Sequence, residues 1–228
     1  MRRSPKKEDE NMRTVALIPI RAGSKGIKNK NMKSMLGKPL CFWVIEAALN
    51  SSVDEVVVST ESQEYADKVL SHFPKVTIHE RSDKMARDGS QLEPVMLEVA
   101  KIVKMDAMVL LQATNPMTTY KDINNAMGLL AAGQYDSLLS VTPFSGFLWS
   151  KDGPVNYDPS KRQNRQDIGA EYRLENGSIY ITKIDALKKY KCRLGGRVVQ
   201  YMMDEETAIE IDEPHEWSMV EATLARRK

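Results

Sequence analysis

The chain has 228 residues, 33 Lys and Arg against 31 Asp and Glu for a net charge of +2, and 42% hydrophobic residues. That length suffices for one sizeable core, and the composition excludes a disordered or fibrous chain. The near balance of charge gives no general case for nucleic acid or an anionic membrane as partner, and no apolar run approaches the ~18 residues of a membrane-spanning helix.

The chain opens on the basic cluster Arg2-Arg3-Ser4-Pro5-Lys6-Lys7, followed at once by Glu8-Asp9-Glu10. No apolar stretch precedes Val15, so this is not the pattern of a signal peptide. Residues 1–12 are expected to form a flexible polar tail, and residues 13–228 a single domain. Cys41 and Cys192 lie far apart without metal-ligand spacing, which suits two free thiols in a reducing cytoplasm.

Short Val-, Ile- and Leu-rich runs then alternate with segments of helical period, the pattern of an α/β fold with a mostly parallel sheet flanked by helices. The expected strands are Thr14–Ile20, Glu55–Ser59, Lys75–His79, Asp106–Leu111 and Ser137–Val141. Between them, helices are expected over Pro39–Ser51, Gln63–His72, Leu92–Lys104 and Lys121–Ala132. The rhythm breaks after Thr142, where Pro143, Gly146, Gly153, Pro154 and Pro159 punctuate a stretch carrying Phe144, Phe147, Trp149 and Tyr157. Long irregular segments inside a domain are usually functional, so residues 142–172 are read as an inserted extension. Further strands at Gly177–Thr182 and Arg197–Met202 and a helix at Pro214–Arg226 close the chain.

Two segments carry the chemistry. Arg21-Ala22-Gly23-Ser24-Lys25-Gly26-Ile27-Lys28-Asn29-Lys30-Asn31 follows the first strand directly, at the carboxyl end of the sheet where open α/β folds bind ligands. Its glycines let backbone N–H groups approach a ligand, and its Arg and Lys side chains match phosphate charge. The order is neither a Walker A loop nor a dinucleotide fingerprint, and taken alone the same residues could form a solvated basic face. The second segment is Thr207-Ala208-Ile209-Glu210-Ile211-Asp212. Strand alternation there would put Glu210 and Asp212 on one face, either as a solvated acidic edge or as oxygen ligands for magnesium beside nucleotide phosphates.

The order Ile-Pro-x-Arg-x-Gly-Ser-Lys-Gly-Ile-x-x-Lys-Asn at residues 18–31, followed by Gly37-Lys38-Pro39-Leu40, resembles the opening of the acylneuraminate cytidylyltransferase family. The resemblance continues in Val57-Val58-Ser59-Thr60-Glu61, the loop 81–88, and Leu110-Leu111-Gln112-Ala113-Thr114-Asn115-Pro116. It extends through Arg165-Gln166-Asp167, Glu175-Asn176-Gly177-Ser178-Ile179-Tyr180-Ile181 and Ile209-Glu210-Ile211-Asp212.

The resemblance implies a dimer in which the extension of one subunit packs near the other's active site. It implies nucleotide binding by Arg21, Ala22, Gly23, Ser24, Lys30 and Asn31, with Arg81, Ala86 and Ser90 beside the cytidine. Gln112, Arg165 and Tyr180 would line the sugar pocket, with Arg173 and Asn176 as neighbouring candidates. Asp212 and Glu210 would hold Mg2+, and Arg21, Lys30 and Asp212 would be catalytic. The implied partners are CTP and an acidic nine-carbon sugar, with no nucleic acid or membrane, in the cytoplasm.

Three departures stand out. Glu210 replaces the first aspartate of the usual acidic pair, Met117-Thr118 replaces a Leu-Arg, and the spacing from Arg165 to Asn176 is one that varies. Met203–Ala208 and Glu93–Met96 resemble legionaminic-acid members. The alternatives are a 3-deoxy-manno-octulosonate cytidylyltransferase and a nucleotide-binding module without turnover.

Overall fold

Seven strands pair into one sheet: β1 (Thr14–Pro19), β2 (Glu55–Thr60), β3 (Thr77–Glu80), β4 (Ala107–Leu111), β5 (Ser137–Pro143), β6 (Arg173–Lys183) and β7 (Val198–Met202). Their spatial order is β7-β5-β6-β4-β1-β2-β3. Only β6 runs antiparallel to its neighbours; every other pairing is parallel. The computed structural model describes residues 12–227 except 25, 83–84, 86–90, 163 and 165–171. Most of the expected tail therefore lies outside the described residues, and Met12, counted in that tail, instead packs against the core.

Both faces of the sheet are covered, which is why its central strands read as apolar runs rather than alternating ones. On one face Ala16, Ile18, Val109 and Leu111 meet helices α1 (Leu40–Leu49), α2 (Gln63–His72) and α4 (Tyr120–Ala132). On the other, Val15, Leu17, Met108 and Leu110 meet α3 (Glu93–Ile102) and α5 (Ile184–Tyr190). Local signals set several helix starts. Ser62 accepts from the Tyr65 N–H to begin α2, and Thr119 and Asp122 form a capping box at α4. Pro39, expected in the first turn of α1, sits at its N-cap.

A third apolar cluster lies off the sheet. Trp217, Val220 and Leu224 of α6 (Pro214–Arg227) pack with Ile27 from the basic loop and Ile211 from the acidic segment. The same small core thus fastens both charged segments.

The structure corrects two expectations about strands. Residues 209–212 join no ladder; the segment follows a short 3-10 turn at Glu205–Ala208 and is held by the Ile211 N–H donating to the Thr114 carbonyl at 3.0 Å. Alternation survives without a strand, since Ile211 is buried while Glu210 and Asp212 face a cavity. The last long strand starts at Arg173 rather than Gly177 and carries a bulge, where Glu175 pairs with Val141 but Tyr180 with Leu139.

That bulge is held from within. The Ile179 N–H donates to Ser140 Oγ at 2.8 Å, and this hydroxyl donates to Asn176 Oδ1 at 2.6 Å. Asn176 Nδ2 donates to Thr207 Oγ1 at 3.0 Å, while Asn115 Nδ2 donates to the carbonyls of Asn176 and Thr207 at 3.0 and 2.9 Å. The segment between β5 and β6 includes a small hairpin of Trp149–Ser150 with Gly153–Pro154. In it the Trp149 indole donates to the Tyr157 hydroxyl at 2.7 Å, and Arg162 lies 4.1 Å over the Phe147 ring.

Candidate active site

The ends of β1, β3 and β4 open onto a cavity of about 260 Å³ at the carboxyl edge of the sheet. Its walls include Arg21, Ser24, Lys30 and Asn31 from the basic loop, Arg81, and Gln112 and Thr114 after β4; Glu210 and Asp212 complete it. Residues nearly two hundred positions apart therefore share one enclosure with opposite charges facing each other.

The loop is shaped by its own polar ties. Asn31 Nδ2 donates to the Arg21 carbonyl at 2.9 Å, closing the turn, and the chain runs through Asn29 at φ 52° into the 3-10 turn Lys30–Met32. This sinks Lys30, leaving it 8% exposed. Its ammonium donates to the Ile211 carbonyl at 2.6 Å and to Asp212 Oδ1 at 2.8 Å. An ammonium has three donors, and among the described residues these two bonds leave one for a ligand. Gly26 makes the approach possible, because a Cβ there would lie 2.2 Å from the Asp212 carbonyl oxygen.

On the acidic side, Thr114 Oγ1 donates to Glu210 Oε1 at 2.7 Å. Burial pushes the Glu210 carboxyl above the usual glutamate range and the nearby Asp212 charge adds to this, while Thr114 and Lys30 oppose it. Gly177, at φ +68°, lets the bulge close against this carboxylate; a Cβ there would stand 2.7 Å from Glu210 Oε2. Asp212 and Glu213 give their N–H groups to Glu216 Oε2, both at 2.7 Å, which fixes the entry into α6. Among the described residues no group of three or more His, Cys, Asp or Glu side chains is placed to hold a metal by itself. A cation here would rest on two carboxylates and on a ligand's own oxygens, the arrangement magnesium commonly takes with nucleotide phosphates.

A second, more open cavity of about 440 Å³ adjoins the first and shares Glu210 and Asp212 with it; Leu174, Glu175, His215 and Met219 line its far side. One pocket can hold a charged donor and the other an acceptor, with the carboxylate pair at their junction.

A family model described as Cytidylyltransferase matches residues 15–211. The chain belongs to the cytidylyltransferase family. It is 35% identical over 221 residues to N-acylneuraminate cytidylyltransferase A of Danio rerio, covering 92% of this chain and 50% of that protein, so it spans about half the length of that relative. It is 32% identical over 228 residues to the CMP-N,N'-diacetyllegionaminic acid synthase of Legionella pneumophila, covering 93% of this chain and 97% of that one. The solved structure of CMP:2-keto-3-deoxy-manno-octonic acid synthetase complexed with CTP superposes with a TM-score of 0.71 at 18% identity, over 95% of this chain and 100% of that one. At that identity the likeness concerns the fold, which carries the mostly parallel, helix-flanked sheet expected from the sequence.

In this chain the expected site residues divide into groups. Arg21, Ser24, Lys30, Asn31, Arg81, Gln112, Glu210 and Asp212 come together around the first cavity. Ala22 and Gly23 belong to the same loop but not to that wall, and the Ala22 N–H is taken by Glu61 Oε1 at 2.7 Å. Asn176 borders the second cavity, yet it is 1% exposed and its carboxamide is engaged by Ser140 and Thr207. Tyr180 is buried in the core and its hydroxyl donates to Glu175, the residue that reaches that cavity. Arg173 lies on the surface and donates to Gln200 Oε1 at 2.7 Å. Ala86, Ser90 and Arg165 lie outside the described residues. The sequence assigns no site role to Glu61, Thr114, Met85 or Leu92, although Glu61, Met85 and Thr114 stand inside segments that resemble the family.

Proposed function

We propose that this chain transfers a cytidylyl group from CTP to the anomeric hydroxyl of a nonulosonic acid, a nine-carbon acidic sugar, releasing pyrophosphate. The observation that carries the reading is the convergence of Arg21, Ser24, Lys30 and Asn31 on Glu210 and Asp212 in one cavity. Relatives named for N-acylneuraminate and for N,N'-diacetyllegionaminic acid support an acceptor of that class.

In this reading the triphosphate lies against the basic loop, with Arg21 and the remaining Lys30 donor meeting its charge. Lys30 also holds Asp212 in place through its 2.8 Å contact. The acceptor hydroxyl forms a bond to the α-phosphorus as it loses its proton, and the bond from that phosphorus to the bridging oxygen of pyrophosphate breaks. Transfer of this kind is catalysed mainly by positioning and by charge stabilisation, which is what the loop supplies. Mg2+ would be held by Asp212 and Glu210, two mutually repelling carboxylates, that of Glu210 partly desolvated and that of Asp212 exposed, which fit a divalent cation. When bound, it would act as a Lewis acid on the phosphate oxygens. The extension with its exposed Trp149 supports a homodimer, and the two free thiols of Cys41 and Cys192 suit a reducing cytoplasm.

The test is magnesium-dependent pyrophosphate release from CTP with N-acetylneuraminic, legionaminic and pseudaminic acids and 3-deoxy-manno-octulosonate offered separately. Release with one nonulosonic acid is expected. Release with the eight-carbon sugar alone would move the chain to the octulosonate reaction, and CTP binding without release from any of the four would identify a module that binds nucleotide without turnover.

A further inference from the structure

We infer that Glu61 is a positioning residue that clamps the phosphate loop to Arg81 and so sets the shape of the nucleotide cavity; the inference rests on the CTP reading above. Glu61 follows β2, which lies in the sheet between β1 and β3. Its two carboxylate oxygens take different donors. Oε1 accepts the Ala22 N–H at 2.7 Å from the loop after β1, and Oε2 accepts from Arg81 at 2.8 Å from the chain after β3. A single side chain thereby ties three adjacent strand ends at the mouth of the site.

Arg81 is held by charge as well as by burial. Its guanidinium side chain is 3% exposed and that of Glu61 14%, so the pair sits largely out of water. Behind it lies another cavity, of about 150 Å³, bordered by Ser62, Ala66 and Ile78 among others. Arg81 lines both that space and the nucleotide cavity, standing as a partition between them. Among the described residues its Nε is buried without a hydrogen-bond partner, and Glu61 is the carboxylate that pairs with its guanidinium. An opposite charge at this depth is strongly felt, and removing one member leaves the other buried and uncompensated.

The pairing also bears on charge. Glu61 offsets Arg81, so this wall presents an oriented donor with little net charge, while Arg21 and Lys30 supply the positive field. A wall of that kind suits the neutral nucleoside portion of the donor rather than its phosphates. Glu61 therefore links the loop that meets the triphosphate to the side chain that meets the nucleoside, and it does so without lining the cavity itself.

Glu61→Gln keeps an oxygen for the Ala22 N–H and loses the charge opposite Arg81. With Mg2+ present, its dissociation constant for CTP, measured by titration calorimetry, should rise about 10- to 100-fold. The thermal midpoint should fall, because Arg81 is left buried without its partner, but the KM for the acceptor should stay near the wild-type value, a split between CTP and acceptor that a merely structural role would not produce. Glu61→Asp, which keeps the charge but shortens the reach, should move CTP binding the same way by less, and it carries the test if the Gln variant does not fold. CTP affinity within about twofold of wild type in the Gln variant, or an equal loss for CTP and acceptor, would overturn the clamp. Absence of CTP binding by the wild-type chain would instead remove the parent reading and the clamp with it.

Discussion

The Glu210 carboxyl is held above the ordinary glutamate range, first by burial and then by the Asp212 charge. The sign of its linkage follows. A carboxyl whose folded value is raised binds its proton more readily in the native state than in the unfolded chain. Its contribution therefore favours the fold below the ordinary glutamate value and is lost as pH rises through the raised one. Glu210→Gln removes the desolvated charge and keeps an oxygen for Thr114. In the absence of divalent cation it should melt higher than wild type at neutral pH, with the difference shrinking as pH falls toward the glutamate range; thermal melts across pH 4 to 8 measure this. Its turnover in saturating Mg2+ should drop by at least about tenfold. A variant that melts lower at pH 7 would show that the Thr114 bond outweighs the burial of charge. Glu61 makes a related point about single residues. Its importance comes from partners 39 and 20 positions away, and no local pattern in the sequence marks such a contact.

At the scale of elements, the site depends on a loop and a strandless segment being allowed to touch. Gly26 sits where a Cβ would strike the Asp212 carbonyl oxygen at 2.2 Å, and its neighbour there is backbone, which cannot swing aside. Gly26→Ala should cost about 1–3 kcal/mol in denaturant unfolding, and because the loop must lift away from Asp212, it should lower turnover more than that loss of stability implies. Unchanged turnover would mean that the Lys30 to Asp212 contact is dispensable. The elements themselves were largely legible. Gln63–His72 coincides with its helix, and the strands after residues 13, 54 and 106 start within one or two positions of expectation, because burial on both faces writes long apolar runs. What escaped had weaker local signals. The α5 helix has only seven residues with two lysines and an aspartate among them, and the β6 bulge is held by Ser140, Asn115 and Thr207 from distant parts of the chain. Among the site residues, the sequence brought the basic loop and the acidic pair into one reading. Asn176 and Tyr180 were placed in the sugar pocket, but their polar groups are committed to internal partners, which only the three-dimensional packing reveals.

For the molecule as a whole, the hairpin beyond β5 leaves Trp149 61% and Val155 58% exposed, an expenditure of apolar surface that a solitary chain gains nothing from. If it is the contact of a homodimer, Trp149→Ser should shift the mass measured by light scattering from two chains toward one while leaving the far-ultraviolet circular dichroism unchanged. A wild-type chain that elutes as a monomer at micromolar concentration would sink the dimer. No helix among the described residues is long and apolar enough to cross a membrane.

Ile27 and Ile211 share the apolar cluster of Trp217, Val220 and Leu224. The basic loop and the acidic segment thus share a helix as a common mooring, beyond their separate ties to the strand ends through Glu61 and Thr114. Local opening of a protein follows its least buried cooperative units. Any opening that freed α6 would therefore take a common anchor from both walls at once, coupling the loosening of the basic loop to that of the acidic segment.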